Sequence, residues 1–316
     1  MRLESIKGGG IIIKITYLYP FVFILLMACS TSNSSSYISL TTSELNKEQE
    51  TFIENDNTIK VAFASVVSPQ ETRNKYNLLI DYLKNTLSRE IEIIQKQTYD
   101  EVNVLLKDGE VDLAFICSLS YVIGTEEGYM IDIASPVVNG KNVYQAYVIT
   151  HKNSSIENLE DGKGSRAAFV DPYSYTGKLA LQDLIIQSNN DPNTFFEKTF
   201  YTYSHDYSVS AVARGAVDIA TIDSILFDQL IELGNEDAKQ TKIIDFGPFA
   251  GSPPIVVSSK TDPELKKDIQ NVLLTLHHHS AGRNILKELK IDHYVPIDRS
   301  SYEPIRKLLP LLGEDQ

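Results

Sequence analysis

Hydroxyls gathered where a strand runs into a helix are the side chains of this sequence best placed for chemistry, and the chemistry they suit is the holding of an anion. In Asp171-Pro172-Tyr173-Ser174-Tyr175-Thr176-Gly177 an apolar strand, Ala167 to Val170, comes before, and the amphipathic stretch Leu179, Leu181, Leu184, Ile185 comes after. Such a turn leaves backbone N–H groups unpaired and sets the positive end of the helix dipole beside Ser174 and Thr176. An oxyanion fits there. Ser and Thr are also favoured N-caps, and the segment by itself leaves both readings open. It has neither GxGxxG spacing nor a Walker lysine, so a nucleotide is not expected. A second helix start follows at Ser204-His205-Asp206-Tyr207-Ser208. His205 and Asp206 are adjacent and cannot form a Ser-His-Asp relay by themselves; either can meet a ligand, or simply serve the helix end.

The other reactive residues offer less. His277-His278-His279 occupies successive positions that point about 100° apart on a helix, whereas two metal ligands on one face need i,i+4 spacing. The run reads as a solvated helix end, and neither a metal nor another cofactor is expected. Cys117 follows Phe115 and Ile116 and reads as a buried small hydrophobe. The second cysteine lies in the N-terminal segment, which leaves no structural disulfide and no CxxC motif. No carboxylate pair, nucleophile elbow or HExxH is present, so the chain is not expected to be an enzyme. With 42 acids against 29 bases and a formal net charge of −13, it lacks the basic face that nucleic-acid binding requires. A hydrophobic share of 42% excludes a disordered polymer.

The elements that must position these residues alternate. Ile59 to Ala64 predicts a strand; Tyr76, Leu79, Ile80, Leu83 and Leu87 predict a helix; Ile91 to Ile94 predicts a strand; Tyr99 to Leu106, closed by Gly109, predicts a second helix. Val111 to Ile116 is the near-continuous apolar run of a strand buried on both faces. Further strands are expected at Ile131 to Ala134, Tyr144 to Thr150, Arg166 to Val170, Ile219 to Thr221 and Ile255 to Ser258. Helices are expected at Gly177 to Gln187, Tyr207 to Arg214, Ser224 to Leu233, Pro263 to Leu276, Gly282 to Leu289 and Tyr302 to Leu312. The alternation predicts α/β architecture with largely parallel sheets. If the chain crosses near 148–152 and returns near 248–254, one lobe is 58–148 with 252–316, the other is 149–251, and two strands make the hinge.

The N-terminus reads as an address followed by a tether. Arg2, Lys7 and Lys14 precede the apolar run Ile15 to Ala28, which is too short to cross a bilayer at roughly 20 residues per span. Leu26-Met27-Ala28-Cys29 resembles the lipobox of bacterial lipoproteins. That resemblance implies cleavage before Cys29, its lipidation, and contact with the membrane through acyl chains only. Residues 29–57 are polar and serine-rich, a flexible tether with a reach on the order of 30 Å.

Several stretches together resemble the periplasmic phosphonate-, phosphite- and phosphate-binding proteins of ABC importers. They are Tyr99 with Val102 to Ala114, Asp171 to Gly177, Asp191-Pro192 with Phe195-Phe196, Ser204-His205-Asp206, and Ala211 to Asp218. The resemblance implies a type II periplasmic-binding-protein fold, two α/β lobes joined by a two-strand hinge and closing on a phosphorus oxyanion. It implies that Ser174, Tyr175, Thr176 and Gly177 present hydroxyls and amides to the phosphoryl oxygens, and that His205 faces them. Tyr99 and Tyr144 would face the cleft from the first lobe, with Ser120 and Tyr121 as further candidates. Members that hold aminoalkylphosphonates pair the amine with an Asp before Pro, where this chain has Pro253-Pro254, and with a Glu near Ile225. Those acids are missing, so the expected ligand lacks an amine: phosphite, methylphosphonate or phosphate, with Asp206 or Asp223 accepting from a protonated P–OH. The implied partners are an ABC permease and its ATPase, and the implied location is the periplasm or cell surface; a binding protein reporting to a signalling partner is the alternative.

Overall fold

The computed structural model describes residues 57–313 except 65, 67 and 68. The expected leader, the lipidation at Cys29 and the tether up to residue 56 lie outside the described residues. The chain begins β1 (Thr58–Phe63), α1 (Pro69–Leu87), β2 (Glu90–Gln95), α2 (Tyr99–Asp108), β3 (Leu113–Phe115), α3 (Ser118–Glu126) and β4 (Met130–Val137). After β5 (Val143–Tyr144) come β6 (Ala146–His151), β7 (Arg166–Phe169), α4 (Ala180–Gln187), α5 (Pro192–Phe195), β8 (Lys198–Tyr201), α6 (His205–Ala213), β9 (Ile219–Asp223), α7 (Ser224–Glu232) and β10 (Thr241–Phe246). It returns through β11 (Ala250–Gly251), β12 (Ile255–Ser258), α8 (Pro263–Thr275), α9 (Ser280–Leu289), β13 (His293–Val295) and α10 (Glu303–Arg306).

These strands form one sheet of order β13-β4-β12-β3-β1-β2 and a second of order β10-β6-β9-β7-β8, with β5 and β11 paired in a ribbon between them. The first sheet buries Val61, Leu113, Ile133 and Val257 against Leu79 and Leu83 of α1, Ile269 of α8 and Ile285 of α9. The second is covered on one face by α4 and α5 through Leu181, Ile185 and Phe195, and on the other by α6 and α7 through Val209, Val212 and Phe227. Among the described residues no helix is long and apolar enough to cross a membrane.

Both sheets are mixed, not largely parallel. β1 pairs in parallel with β2 and β3, and β7 with β8 and β9, but β12 runs antiparallel to β3 and β4, and β6 antiparallel to β9. The reason is topological: a chain that leaves the first sheet past the end of β4 comes back at that same end of the strands, so β12, its first returning strand, runs the opposite way between β4 and β3. The stretch expected as one strand from Tyr144 to Thr150 is cut at Gln145, whose N–H donates to Ser224 Oγ at 3.1 Å. β5 stays in the ribbon, while β6 pairs in the second sheet from Ala146 onward, so the expected crossing at 148–149 falls inside β6.

The expected helix Tyr302 to Leu312 is short and broken, with 3-10 turns on either side of α10; Pro304 is tolerated in the first turn, but Pro310 lacks the N–H that a continuation would need. No helix was expected where α3 lies. Its Ser118, Leu119, Ser120, Tyr121 and Val122 are all buried, so the one-sided stripe that marks a surface helix is missing.

Candidate functional site

The Ser174 turn is built from β7 outward. Beyond Phe169 the chain leaves the sheet through Val170 and Asp171. The fully buried Asp171 carboxylate accepts from the N–H of Tyr173 at 2.8 Å through Oδ1 and from the N–H of Tyr99 at 3.1 Å through Oδ2. One side chain therefore ties the turn to the first turn of α2, which is itself fixed by a capping box between Thr98 and Glu101. Burial pushes the Asp171 carboxyl up, against the two N–H groups. Ser174 is extended and its Oγ accepts from Gly177 N at 3.0 Å, so it caps a π-helical turn, Tyr175–Leu179, that leads into α4. Capping uses one lone pair and leaves the Ser174 O–H free to donate. A side chain at Gly177 would put its Cβ 2.5 Å from Val170 Cβ and 2.7 Å from Ser174 Oγ, so only glycine lets the turn close this tightly. Thr176 is buried beside it, with its carbonyl taking the Thr221 hydroxyl at 2.7 Å.

Facing the turn are two tyrosines. Tyr99, the first residue of α2, and Tyr144, the last of β5, are both buried, and both hydroxyl oxygens lack a hydrogen-bond partner. Tyr99 Oη lies beside the Ser174 hydroxyl and the Cys117 thiol, and Tyr144 Oη beside Cys117 and Ser118. A buried polar group left unpaired costs about 1 to 3 kcal/mol, so these two hydroxyls are donors suited to a polar ligand. Cys117 precedes α3; burial pushes its thiol up, opposed by the Tyr175 and Leu119 N–H groups.

The second helix start closes the cluster. His205 opens α6 with its ring almost fully buried, and its Nδ1 accepts from Asp223 N at 3.1 Å. The proton must then sit on Nε2, and burial pulls the imidazole pKa down to about 3. His205 is a neutral donor. Its own N–H donates to Val66 O at 3.1 Å, across to the first sheet's side. Asp223 ends β9 and caps α7, accepting from Leu226 N at 3.0 Å, and burial pushes its carboxyl up to about 6.

These two shifts act on stability with opposite signs. A depressed imidazole pKa means that the unfolded chain takes a proton first, so stability is lost as pH falls below about 6.5, at about 1.4 kcal/mol per pH unit. A raised carboxyl pKa means the reverse for Asp223, whose burden is relieved as pH falls from about 6 towards 3.8. His205→Asn is therefore expected to be less stable than the wild type at pH 7, with a deficit that shrinks by about 2 kcal/mol at pH 5. Urea unfolding of both proteins at the two pH values measures this; a deficit that does not change with pH would place the imidazole in solvent.

Ser174, Thr176, Tyr99, Tyr144, His205 and Asp223 thus lie around one buried cluster. Tyr175 is buried with them and its ring stands 6.0 Å from that of Tyr144, but its hydroxyl is committed to the Pro248 carbonyl at 2.8 Å. Asp206 is half-buried and accepts locally from the Ser204 hydroxyl. Ser120 Oγ is buried without a partner, whereas Tyr121 donates to Asp132 at 3.0 Å and packs on Tyr302.

Of these residues Asp223 alone lines a neighbouring cavity of about 110 Å³, walled by Phe63, Phe115, Ile225, Pro253 and Pro254 and reached by Lys75. Asp171 and Lys75 are the residues that sequence reasoning left out of the site. A signal existed for Lys75: positions 75, 79 and 83 share one stripe of α1, and Leu79 and Leu83 are core residues. For Asp171 there was none beyond its place in the turn, because its bond to Tyr99 spans 72 residues of chain.

A family model described as the periplasmic substrate-binding protein of the phosphonate ABC transporter matches residues 61–302. The phosphate-import protein PhnD of Mycolicibacterium smegmatis is 25% identical over 198 residues, 59% of this chain and 62% of that protein, so this chain spans about three fifths of that relative's length. The phosphonates-binding periplasmic protein of Escherichia coli is 23% identical over 263 residues, covering 81% of this chain and 77% of that one. Two crystal structures share the fold. The binding component of an ABC phosphonate transporter from Pseudomonas aeruginosa has a TM-score of 0.75 at 22% identity, over 81% of this chain and 86% of its own. PhnD1 from Prochlorococcus marinus, in complex with methylphosphonate, has a TM-score of 0.74 at 18% identity, over 82% of this chain and 100% of its own. The fold is thus that of the type II periplasmic binding proteins.

Proposed function

Since this chain belongs to the family of periplasmic substrate-binding proteins of phosphonate ABC transporters, we propose that it is the binding lipoprotein of an importer and takes a small phosphorus oxyanion that carries no amine: phosphite, methylphosphonate or phosphate. The observation that carries this reading is the pair of unpartnered buried hydroxyls, that of Tyr99 beside Ser174 and that of Tyr144 beside Ser118. Together with the Ser174 and Thr176 hydroxyls and the His205 Nε2–H, they would supply neutral donors suited to phosphoryl oxygens. Asp223, whose carboxyl titrates near 6, is the group placed to accept from a P–OH. Sulfate at neutral pH has no proton to offer it. The missing amine partners support the choice of ligand, since Ile225, Pro253 and Pro254 wall the neighbouring cavity. So do the relatives: one is named for phosphate import, and another was crystallised with methylphosphonate.

Capture would proceed by closure of two lobes, one carrying the first sheet and the other the second from Ala146 of β6 to β10, about the β5–β11 ribbon, each contributing contacts that only the closed form makes complete. An acyl anchor at Cys29 would hold the protein at the periplasmic or cell-surface face of a membrane, where the closed form meets a permease driven by an ATPase. Calorimetry with phosphite, methylphosphonate, phosphate, sulfate and 2-aminoethylphosphonate tests the reading. One of the first three is expected to bind most tightly, and Thr176→Val to weaken it by about 1 to 3 kcal/mol. Tighter binding of the aminoethyl compound than of all three, or an unchanged affinity in the variant, would count against it.

A further inference from the structure

The cavity beside Asp223 is also lined by a cation that, among the described residues, has no carboxylate in hydrogen-bond contact. Lys75 Nζ donates to the neutral Gln229 Oε1 at 2.9 Å and lies 6.0 Å from the centre of the Tyr76 ring. None of the ion pairs among the described residues includes it. Burial pulls its pKa down, and Asp223 opposes this only from a distance. An ammonium set among apolar walls without a carboxylate in contact is a costly arrangement, and it is relieved when an anion comes to it. The walls themselves are hydrocarbon: the Phe63 and Phe115 rings stack at 4.6 Å, Tyr76 tilts against both at 5.0 Å, and Ile116, Pro253 and Pro254 complete the lining. Asp223 belongs to this lining and also donates its backbone N–H to His205, so the cavity adjoins the oxyanion cluster.

We propose that the cavity receives the substituent of an organophosphonate and that Lys75 and Gln229 bind a carboxylate at its far end, so that the ligands held most tightly are carboxyalkylphosphonates. This rests on the oxyanion reading of the site and narrows it. The phosphonate end would meet Ser174, Thr176 and the His205 Nε2–H. The carbon chain would lie along Phe115, Ile116 and Pro254, and the carboxylate would accept from the Lys75 ammonium and the Gln229 amide N–H. The same ammonium repels an amine, which gives the missing acids near Ile225 and Pro253 a counterpart of opposite sign.

The test is calorimetry on the full chain with methylphosphonate, 3-phosphonopropionate and 2-aminoethylphosphonate as probes. 3-Phosphonopropionate is expected to bind at least about tenfold more tightly than methylphosphonate, a charge-assisted hydrogen bond being worth at least that ratio. Lys75→Met keeps the stem but not the charge and should abolish the gain, read as the ratio of the 3-phosphonopropionate to the methylphosphonate affinity. Gln229→Glu supplies Lys75 with an internal carboxylate and should abolish the gain by another route, so the outcome does not hang on one variant. Equal affinities for methylphosphonate and 3-phosphonopropionate, or a gain that survives both substitutions, overturns the proposal and leaves the oxyanion site standing. Binding of no phosphonate, phosphite or phosphate at all overturns both.

Discussion

Replacing Tyr99 and Tyr144 together by Phe is expected to make the ligand-free protein more stable and the ligand bind far more weakly. Each hydroxyl is buried without a partner in the unliganded chain, where it costs about 1 to 3 kcal/mol and gains nothing. Removing an oxygen while keeping the ring leaves the packing of both side chains in place. The apo melting temperature should therefore rise, by roughly 2 to 4 °C for each kcal/mol relieved in a domain of this size. With ligand bound the balance reverses, since each hydroxyl would donate to an oxyanion. Losing both should cost about 2 to 6 kcal/mol of binding, a drop in affinity of roughly 30-fold to over 10⁴-fold. Few substitutions raise stability and abolish function together, and those that do identify groups kept for the ligand. Differential scanning calorimetry without ligand, paired with titration of the tightest oxyanion, measures both halves. A double variant that melts lower and binds as before would show that the hydroxyls serve packing.

Asp171→Ala should have the largest effect on the fold. Its carboxylate is the acceptor for two backbone N–H groups, Tyr173 in its own turn and Tyr99 at the start of α2. With alanine both donors lose their partner, in a place closed to water, at about 2 to 5 kcal/mol together. The binding site should suffer as well, because the same contact sets the Ser174 turn against Tyr99. Asp171→Asn keeps one acceptor oxygen and should recover roughly half of the loss. Urea denaturation of the three proteins gives the comparison; an alanine variant within 1 kcal/mol of the wild type would mean that another group or water takes over both bonds.

Much of the architecture was legible because it is local. The capping box of Thr98 and Glu101, the left-handed Gly109 that closes α2, and the stripe of Leu79 and Leu83 each depend on residues within about four positions of one another. The two helix starts at Ser174 and His205 belong to the same class. What could not be read were elements whose pattern is erased by burial on all sides, such as α3, and the direction of strands that return from the other sheet, such as β12. Tyr121 illustrates the limit at the site. It sits one residue from the unpartnered Ser120, yet its ring turns to Tyr302 and its hydroxyl to Asp132.

By itself the sequence determined an acidic α/β chain with hydroxyls and a histidine at two helix starts, since composition, periodicity and capping are properties of short segments. Tertiary structure alone decided that these starts converge, that Asp171 joins turn to helix across 72 residues, that His205 is a neutral donor, and that Lys75 donates to the neutral Gln229 amide. Partner choice and desolvation are set by groups distant in the chain, and a proton's place on a ring depends on which of those groups arrives beside it.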